Sequence, residues 1–474
     1  MNVRRLKGSL ATRGPHGEAP SAPRARGGRS RDPARGSILV AAMWTLTFLA
    51  VLVLAFARST RARILAFANQ VASIQAAAVE RSAEAYALAI LEREKDAALQ
   101  LAETYFAAVP LESGCFWILR PNYGDDSLPS FGLVDESSKL DLNSAPADML
   151  AALPGMTADL AASIADWRDE DGEVTAGGAE DEYYLALPDP YRAKNGPFES
   201  VEEVLLVKDF TAELLYGTGV GSRYGADPTW FSGVGSLVRT DLELARGLYD
   251  DITVWGSANQ GPGGGPTQAL NVNQDNPLRL TELLTSVLGA ERAREVAERA
   301  RPRPPFQDLF DFAVRTGLSG DELDLLADRL TTGGGAPSGA ALNVNTAPRE
   351  VLRTLPGLTD AEVTSLIARR ALTGGADTGI GWVLDALGSK AVGLGDRIAT
   401  KPSSRYSADI LAASEDGRAF RRTRIVIDAS SSPPRIVYRR DLTESGWPLD
   451  PALLYSLRRG EATSGAMAAY GGGL

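Results

Sequence analysis

The sequence predicts an α+β protein in which one long amino-terminal helix packs on an antiparallel sheet, with all-α modules inserted between the strands. Three observations carry this. An apolar run at 37–57 passes, without Gly or Pro, into a helix-forming stretch that lasts to Pro110. A helix–turn–helix segment at 140–168 recurs at 342–370. Strand-like runs bounded by Gly, Pro, Asn and Ser surround both copies, three of them consecutive near the carboxyl end.

The amino-terminal 36 residues carry nine Lys and Arg against Glu18 and Asp32, a net of +7; subtracting this from the total of -11 leaves -18 for residues 37–474. A body this acidic is a poor generic partner for phosphate backbones, whose binding is driven largely by cationic side chains. His16, the only histidine, lies in the basic leader, and Cys115 is the only cysteine. A chain without its leader has no histidine, which excludes Ser-His-Asp and Cys-His catalysis and any His-ligated metal. One cysteine excludes an intramolecular disulfide, and its setting in CFWIL reads as an inert buried thiol.

Residues 37–57, SILVAAMWTLTFLAVLVLAFA, hold no charge and end at Arg58. At about 1.5 Å per residue the run is about 30 Å long, enough to cross a hydrocarbon core. Residues 58–107 are dominated by Ala, Leu, Glu and Arg, so one helix from about Ser37 to Ala107 is expected. Ile64, Phe67, Val71, Ile74 and Ala78 recur at three- and four-residue steps and give it an apolar stripe. The basic leader places the amino terminus in the cytoplasm.

Beyond the helix, the first sheet part falls at 108–142 and a helical module with an acidic loop at 143–220. A second sheet part with its linker covers 221–274, a second helical module 275–400, carboxyl-terminal strands 401–445 and a tail 446–474. The segments 140–168 and 342–370 align without a gap and share 11 of 29 residues, including Asn143/Asn345, Pro154-Gly155/Pro356-Gly357 and Arg168/Arg370. LNVNQDNP at 270–277 is a shorter copy of the head. In each long copy a polar residue before Ala-Pro starts a helix and Pro-Gly ends it, and Thr359 with Glu362 has capping-box spacing for the next. Ser200 and Glu203 have the same spacing.

This pattern looks like a helix-hairpin-helix, which makes a membrane-anchored, competence-type DNA-binding protein the alternative reading. Such hairpins grip phosphate through a Gly-x-Gly turn. Here the second glycine is missing in both copies, and Asp159, Asp166, Asp360 and Glu362 lie nearby. A carboxylate hydrolase is disfavoured because no acid pair lies in an apolar context.

A basic leader ending in Gly36, followed at once by an apolar helix, resembles the class III leader of pilins and pseudopilins. That resemblance implies cleavage by a prepilin peptidase after Gly36, leaving Ser37 as the first mature residue. Most of those proteins have Glu at mature position five; this chain has Ala41 there. Together with FGLVDESSKLDLNSAP and ADWRDEDGEVTAGGAEDEYYLALPDPYRAKNGPFESVEEVLLV, these features resemble the minor pseudopilin K family of type II secretion systems. The resemblance implies a pilin-like fold with an inserted SAM-like domain, and a non-enzymatic subunit at the pseudopilus tip beside I- and J-type minor pseudopilins. It also implies a single-pass inner-membrane protein with a periplasmic carboxyl-terminal domain. On sequence alone the acidic run 166–184 reads as a solvated loop. The resemblance implies that it binds calcium, with Asp166, Asp169, Asp171, Glu180 and Asp181 as ligands.

Overall fold

The computed structural model describes residues 34–94, 98–123, 128–217, 246–256, 269–274, 276–300, 305–333, 341–373 and 379–460. The chain divides into two compact units, Met1–Phe67 and Ala68–Leu474. In the first, the described residues form the beginning of helix α1 (Ala34–Arg93), so Gly36 and Ser37 fall in its first turn while the rest of the leader lies outside the described residues. Every residue from Ile38 to Ser59 is exposed, including Trp44 and Phe56. Among the described residues one helix, Ile38–Arg93, is long and apolar enough to cross a membrane.

In the second unit α1 lies on a seven-stranded antiparallel sheet. Its strands are β1 (Val109–Leu111), β2 (Gly114–Arg120), β3 (Ser130–Phe131), β4 (Val134–Asp135), β11 (Arg405–Ser414), β12 (Phe420–Asp428) and β13 (Arg435–Asp441). The main path runs β1-β2-β11-β12-β13, with β3 on β2 and β4 on β11. The long carboxyl-terminal strands therefore pair with a strand nearly 300 residues upstream, Leu411 opposite Trp117.

Two features of the helix differ from expectation. It ends at Arg93, and the chain folds back through short 3-10 turns at Ala98–Gln100 and Glu103–Tyr105. The return buries Ala98 and Phe106 in the sheet core, and Ile118 N–H donates to Phe106 O, so tertiary packing overrides helix propensity. The buried stripe is also a different face. Ala72, Ala76, Val79, Ala83, Ala87 and Leu91 are covered, whereas Ile64, Phe67 and Ile74 are more than 60% exposed. Small side chains let the helix backbone approach the sheet closely. One acid interrupts the covered face: Glu80 is buried and binds Thr423 and Arg439 (2.7 Å), with Arg421 at 3.6 Å.

The helical insertion consists of three modules, each closed by a two-residue parallel bridge. The bridges join β5 (Leu140–Asp141) to β6 (Ile252–Thr253), β7 (Leu270–Asn271) to β8 (Leu330–Thr331), and β9 (Leu342–Asn343) to β10 (Ile398–Ala399). The expected module 275–400 is thus two, and the strands found in 221–274 are bridge strands outside the main sheet. Each module is locked by the same asparagine. Asn143, Asn273 and Asn345 donate their own N–H to Oδ1 of the residue two before, making Asx turns at 2.9–3.0 Å. Asn143 and Asn273 then clasp the backbone of Phe198 and Phe306 from both sides. Asn345 Nδ2 donates to Thr400 O at 2.7 Å.

A buried polar joint connects sheet and modules. Asp135 accepts from Asn343, Thr346, Ser137 and Ser403, while Lys139 Nζ pairs with Glu136 at 2.5 Å. Arg424 reaches Asp250 at 3.3 Å. Next to it Asp251 is only 3% exposed, and its Oδ1 has no hydrogen-bond partner. Burial, then Asp250 and Glu350, push its carboxyl well above the ordinary range, against the opposing pull of Arg246 and Lys139. A raised folded-state value means the stability it contributes is complete below the unfolded carboxyl range and is lost as pH rises through the folded value. Asp251→Asn removes that loss. Its urea stability is expected to exceed wild type by about 1–2 kcal/mol at pH 8, with the difference shrinking towards pH 4.5.

Candidate functional site

The acidic run is organised around the helix Ala158–Arg168, which Thr157 caps by accepting from Leu160 N–H at 3.2 Å. This helix buries Asp166 completely. The Asp166 carboxylate accepts from Thr175 N–H at 3.1 Å. Asp169 follows at the helix end, its Oδ1 buried and without a partner. Asp171 Oδ1 accepts from Glu173 N–H at 2.9 Å.

Glu180 precedes the short helix Asp181–Leu185 and is 3% exposed. Neither of its oxygens is met at hydrogen-bonding geometry, although the Asn195 amide stands beside it. Burial raises the Glu180 carboxyl above its ordinary value, and Asp169, Asp166 and Asp171 raise it further. Asp169 is raised by burial and then by Asp171 and Asp166. These effects tie Asp169 and Glu180 electrostatically to Asp166 and Asp171.

Asp181 stands apart from these residues. It accepts from Ala193 N–H at 2.9 Å and from Arg192 at 3.2 Å, so it staples the 192–193 loop. Asn195, which the sequence reading did not single out, takes a place instead. It adopts φ 48°, its Nδ2 donates to Asp171 O at 2.6 Å, and its Oδ1 is buried without a partner. The sequence signal was Lys-Asn-Gly, since Asn tolerates the left-handed region.

The donor chemistry fits a hard divalent cation: carboxylate and amide oxygens, several buried and unmatched. Among the described residues no three His, Cys, Asp or Glu side chains are already set to hold a metal ion. A bound ion would have to draw these oxygens together.

The hairpins show why they resemble a DNA grip. Gly155 (φ 73°) and Gly357 (φ 76°) turn the chain through the left-handed region after each proline. The arginine shared by the two copies points inward. Arg168 donates to Leu142 O and to Ala145 O (2.7 Å), and Arg370 donates to Val344 O (3.1 Å) and Ala347 O (2.5 Å). Two other cations at the second hairpin face acids, Arg353 on Asp360 at 3.0 Å and Arg369 near Asp385 at 3.6 Å. This geometry closes a module rather than presenting charge to phosphate.

PFESVEEVLLV departs from the expected capped α-helix. Val201–Leu206 is a 3-10 helix, and Ser200 makes no side-chain cap. Glu203 instead accepts from Trp167 Nε1, Lys194 and Glu199 N–H at 2.9–3.0 Å. Trp167 stacks edge-on against Tyr184, and Tyr184 packs beside Tyr191, which joins the acidic loop to the module core.

Residues 142–216, the first module with its acidic loop, match the family model described as type II secretion system (T2SS), protein K. Among solved structures the chain is similar to one in the crystal structure of the GspK-GspI-GspJ complex from the enterotoxigenic Escherichia coli type 2 secretion system. The identity is 16%, coverage is 80% of this chain and 99% of that chain, and the TM-score is 0.35. No curated protein matches the sequence. Through its first helical module, the chain resembles type II secretion system protein K.

Proposed function

We propose that the chain is a minor pseudopilin of the K type, a structural subunit without catalytic activity that caps the tip of a type II secretion pseudopilus. One coincidence carries the reading. A single chain joins a charge-free apolar run at 37–57, at the start of helix α1, with an antiparallel sheet and a module matching protein K over 142–216. The apolar helix anchors the subunit in the inner membrane, amino terminus cytoplasmic, until assembly draws it into the fibre. Prepilin peptidase cuts after Gly36, leaving Ser37 first, and the carboxyl-terminal domain lies in the periplasm. Ala41 leaves the membrane segment 37–57 without an acid to attract a subunit ahead of it, as suits a tip position. Partners are I- and J-type minor pseudopilins, and secretion across the outer membrane is the process served.

Calcium is the proposed ligand of the acidic loop, held by Asp166, Asp169, Asp171 and Glu180, with Asn195 as an added oxygen donor and Asp181 outside the set. Bound there, the ion neutralises the clustered carboxylates and ties the 169–195 loop to its module.

Co-expression of residues 58–474 with the soluble parts of I- and J-type pseudopilins tests the assignment. A ternary complex that survives gel filtration is the expected result. A K-type chain that elutes alone with both candidates, while retaining its folded circular dichroism, would count against it.

A further inference from the structure

We propose that Lys208 is a positioning residue for the acidic site: its ammonium pins the 175–178 loop that leads directly into buried Glu180, although Lys208 supplies no ligand. The inference rests on the reading of that loop as a calcium site.

Lys208 is fixed at both ends. Its backbone N–H donates to the hydroxyl of buried Tyr184 at 3.2 Å, and its Nζ donates to Gly177 O and Gly178 O, each at 3.2 Å. The ammonium also lies 5.4 Å from the centroid of the Tyr183 ring. Both loop contacts go to backbone oxygens, so the charge is spent on holding the chain and leaves the carboxylates to an ion.

The opposite side of the loop presses on the helix that carries Asp166. A Cβ at Gly178 would fall 2.0 Å from Asp166 Oδ2, and one at Gly177, with φ 88°, 2.3 Å from Asp159 Oδ1. Thr175 N–H donates to Asp166, and Gly178 N–H closes the turn onto Thr175 O at 2.8 Å. The loop is therefore clamped between an ammonium and a carboxylate. Gly178 is followed by Ala179, which is 1% exposed, and then by Glu180, the buried acid with two unmatched oxygens. Only Ala179 separates the pinned Gly178 from the residue that carries that carboxylate. Releasing the pin frees the backbone that sets its direction.

Groups that orient ligands without binding the ion typically contribute about 10–100-fold to metal affinity. The test is calorimetric titration of Ca²⁺ into the full chain in detergent, comparing wild type with Lys208→Met, Lys208→Arg and Lys208→Gln, and melting each with EDTA. Lys208→Met is expected to weaken Ca²⁺ binding by about tenfold or more, with a smaller change in the EDTA melting temperature, and Lys208→Arg to recover part of the affinity. If Lys208→Met does not fold, Lys208→Gln is expected to show the same loss. Wild-type affinity in the Met or Gln variant overturns the positioning role, even when the EDTA melting temperature falls. No Ca²⁺ binding by wild type overturns the site itself, and the inference with it.

Discussion

Asp409→Ala is expected to destabilise the folded chain by about 3–5 kcal/mol, the largest single-residue effect anticipated here. Asp409 lies on β11 and Arg422 on β12, at the middle of the sheet that carries α1. Arg422 is fully buried, and its Nε and Nη2 meet the two Asp409 oxygens at 3.0 and 2.6 Å. The pair gains little over an apolar replacement, because both ions were desolvated to make it. Removing one partner is different, since the remaining guanidinium cannot shed its charge at accessible pH. Asp409→Leu combined with Arg422→Met should therefore be far milder than Asp409→Ala alone. Urea unfolding of the three chains measures this. Equal losses in the single and double variants would show that packing volume, rather than a buried charge deprived of its carboxylate, sets the cost. The exposed pair Arg418–Asp416 at 3.1 Å is a control, expected to be worth under about 1 kcal/mol.

The parts that sequence predicted well are those in which local chemistry decides the outcome. A charge-free run with no Gly or Pro has few alternatives to helix, and Pro-Gly after an apolar turn ends one; both appear in the structure. What was misread depends on partners distant in the chain. From Ile64 to Leu91 helix α1 has apolar side chains on more than one face, and only the sheet decides that the alanine face is the buried one. Ser200–Glu203 has capping spacing, yet Glu203 is captured by Trp167 and Lys194, which periodicity does not see. The third module was hidden because its head, LNVNQDNP, lacks the Pro-Gly of the other copies. The feature all three share is the asparagine that bridges to the end of a returning strand, 111, 59 and 55 residues away for the bonds to Val254, Thr332 and Thr400. At the acidic loop, composition suggested the donors but not their direction. Arg192 and the Ala193 N–H take Asp181 away, and the left-handed Asn195 is brought in.

Calcium is expected to raise the melting temperature of the chain and EDTA to lower it, with a difference of about 2–3 kcal/mol at free ion near 100 times the dissociation constant. Glu180 shows why the effect should be specific. In the ion-free fold it is a buried acid whose oxygens lack partners, beside three aspartates that repel its charge. Glu180→Gln relieves that repulsion, so it should leave the EDTA form as stable as wild type or more stable, while removing most of the gain from calcium. A residue that only packs would lose stability in both conditions, whereas a ligand moves the two in opposite directions. Magnesium should substitute poorly, because it demands a tight octahedron and gives up its water reluctantly, while this donor set is spread over a loop. Melting curves identical in Ca²⁺ and EDTA for both chains would leave the acidic run as a solvated loop and remove the ion from the site.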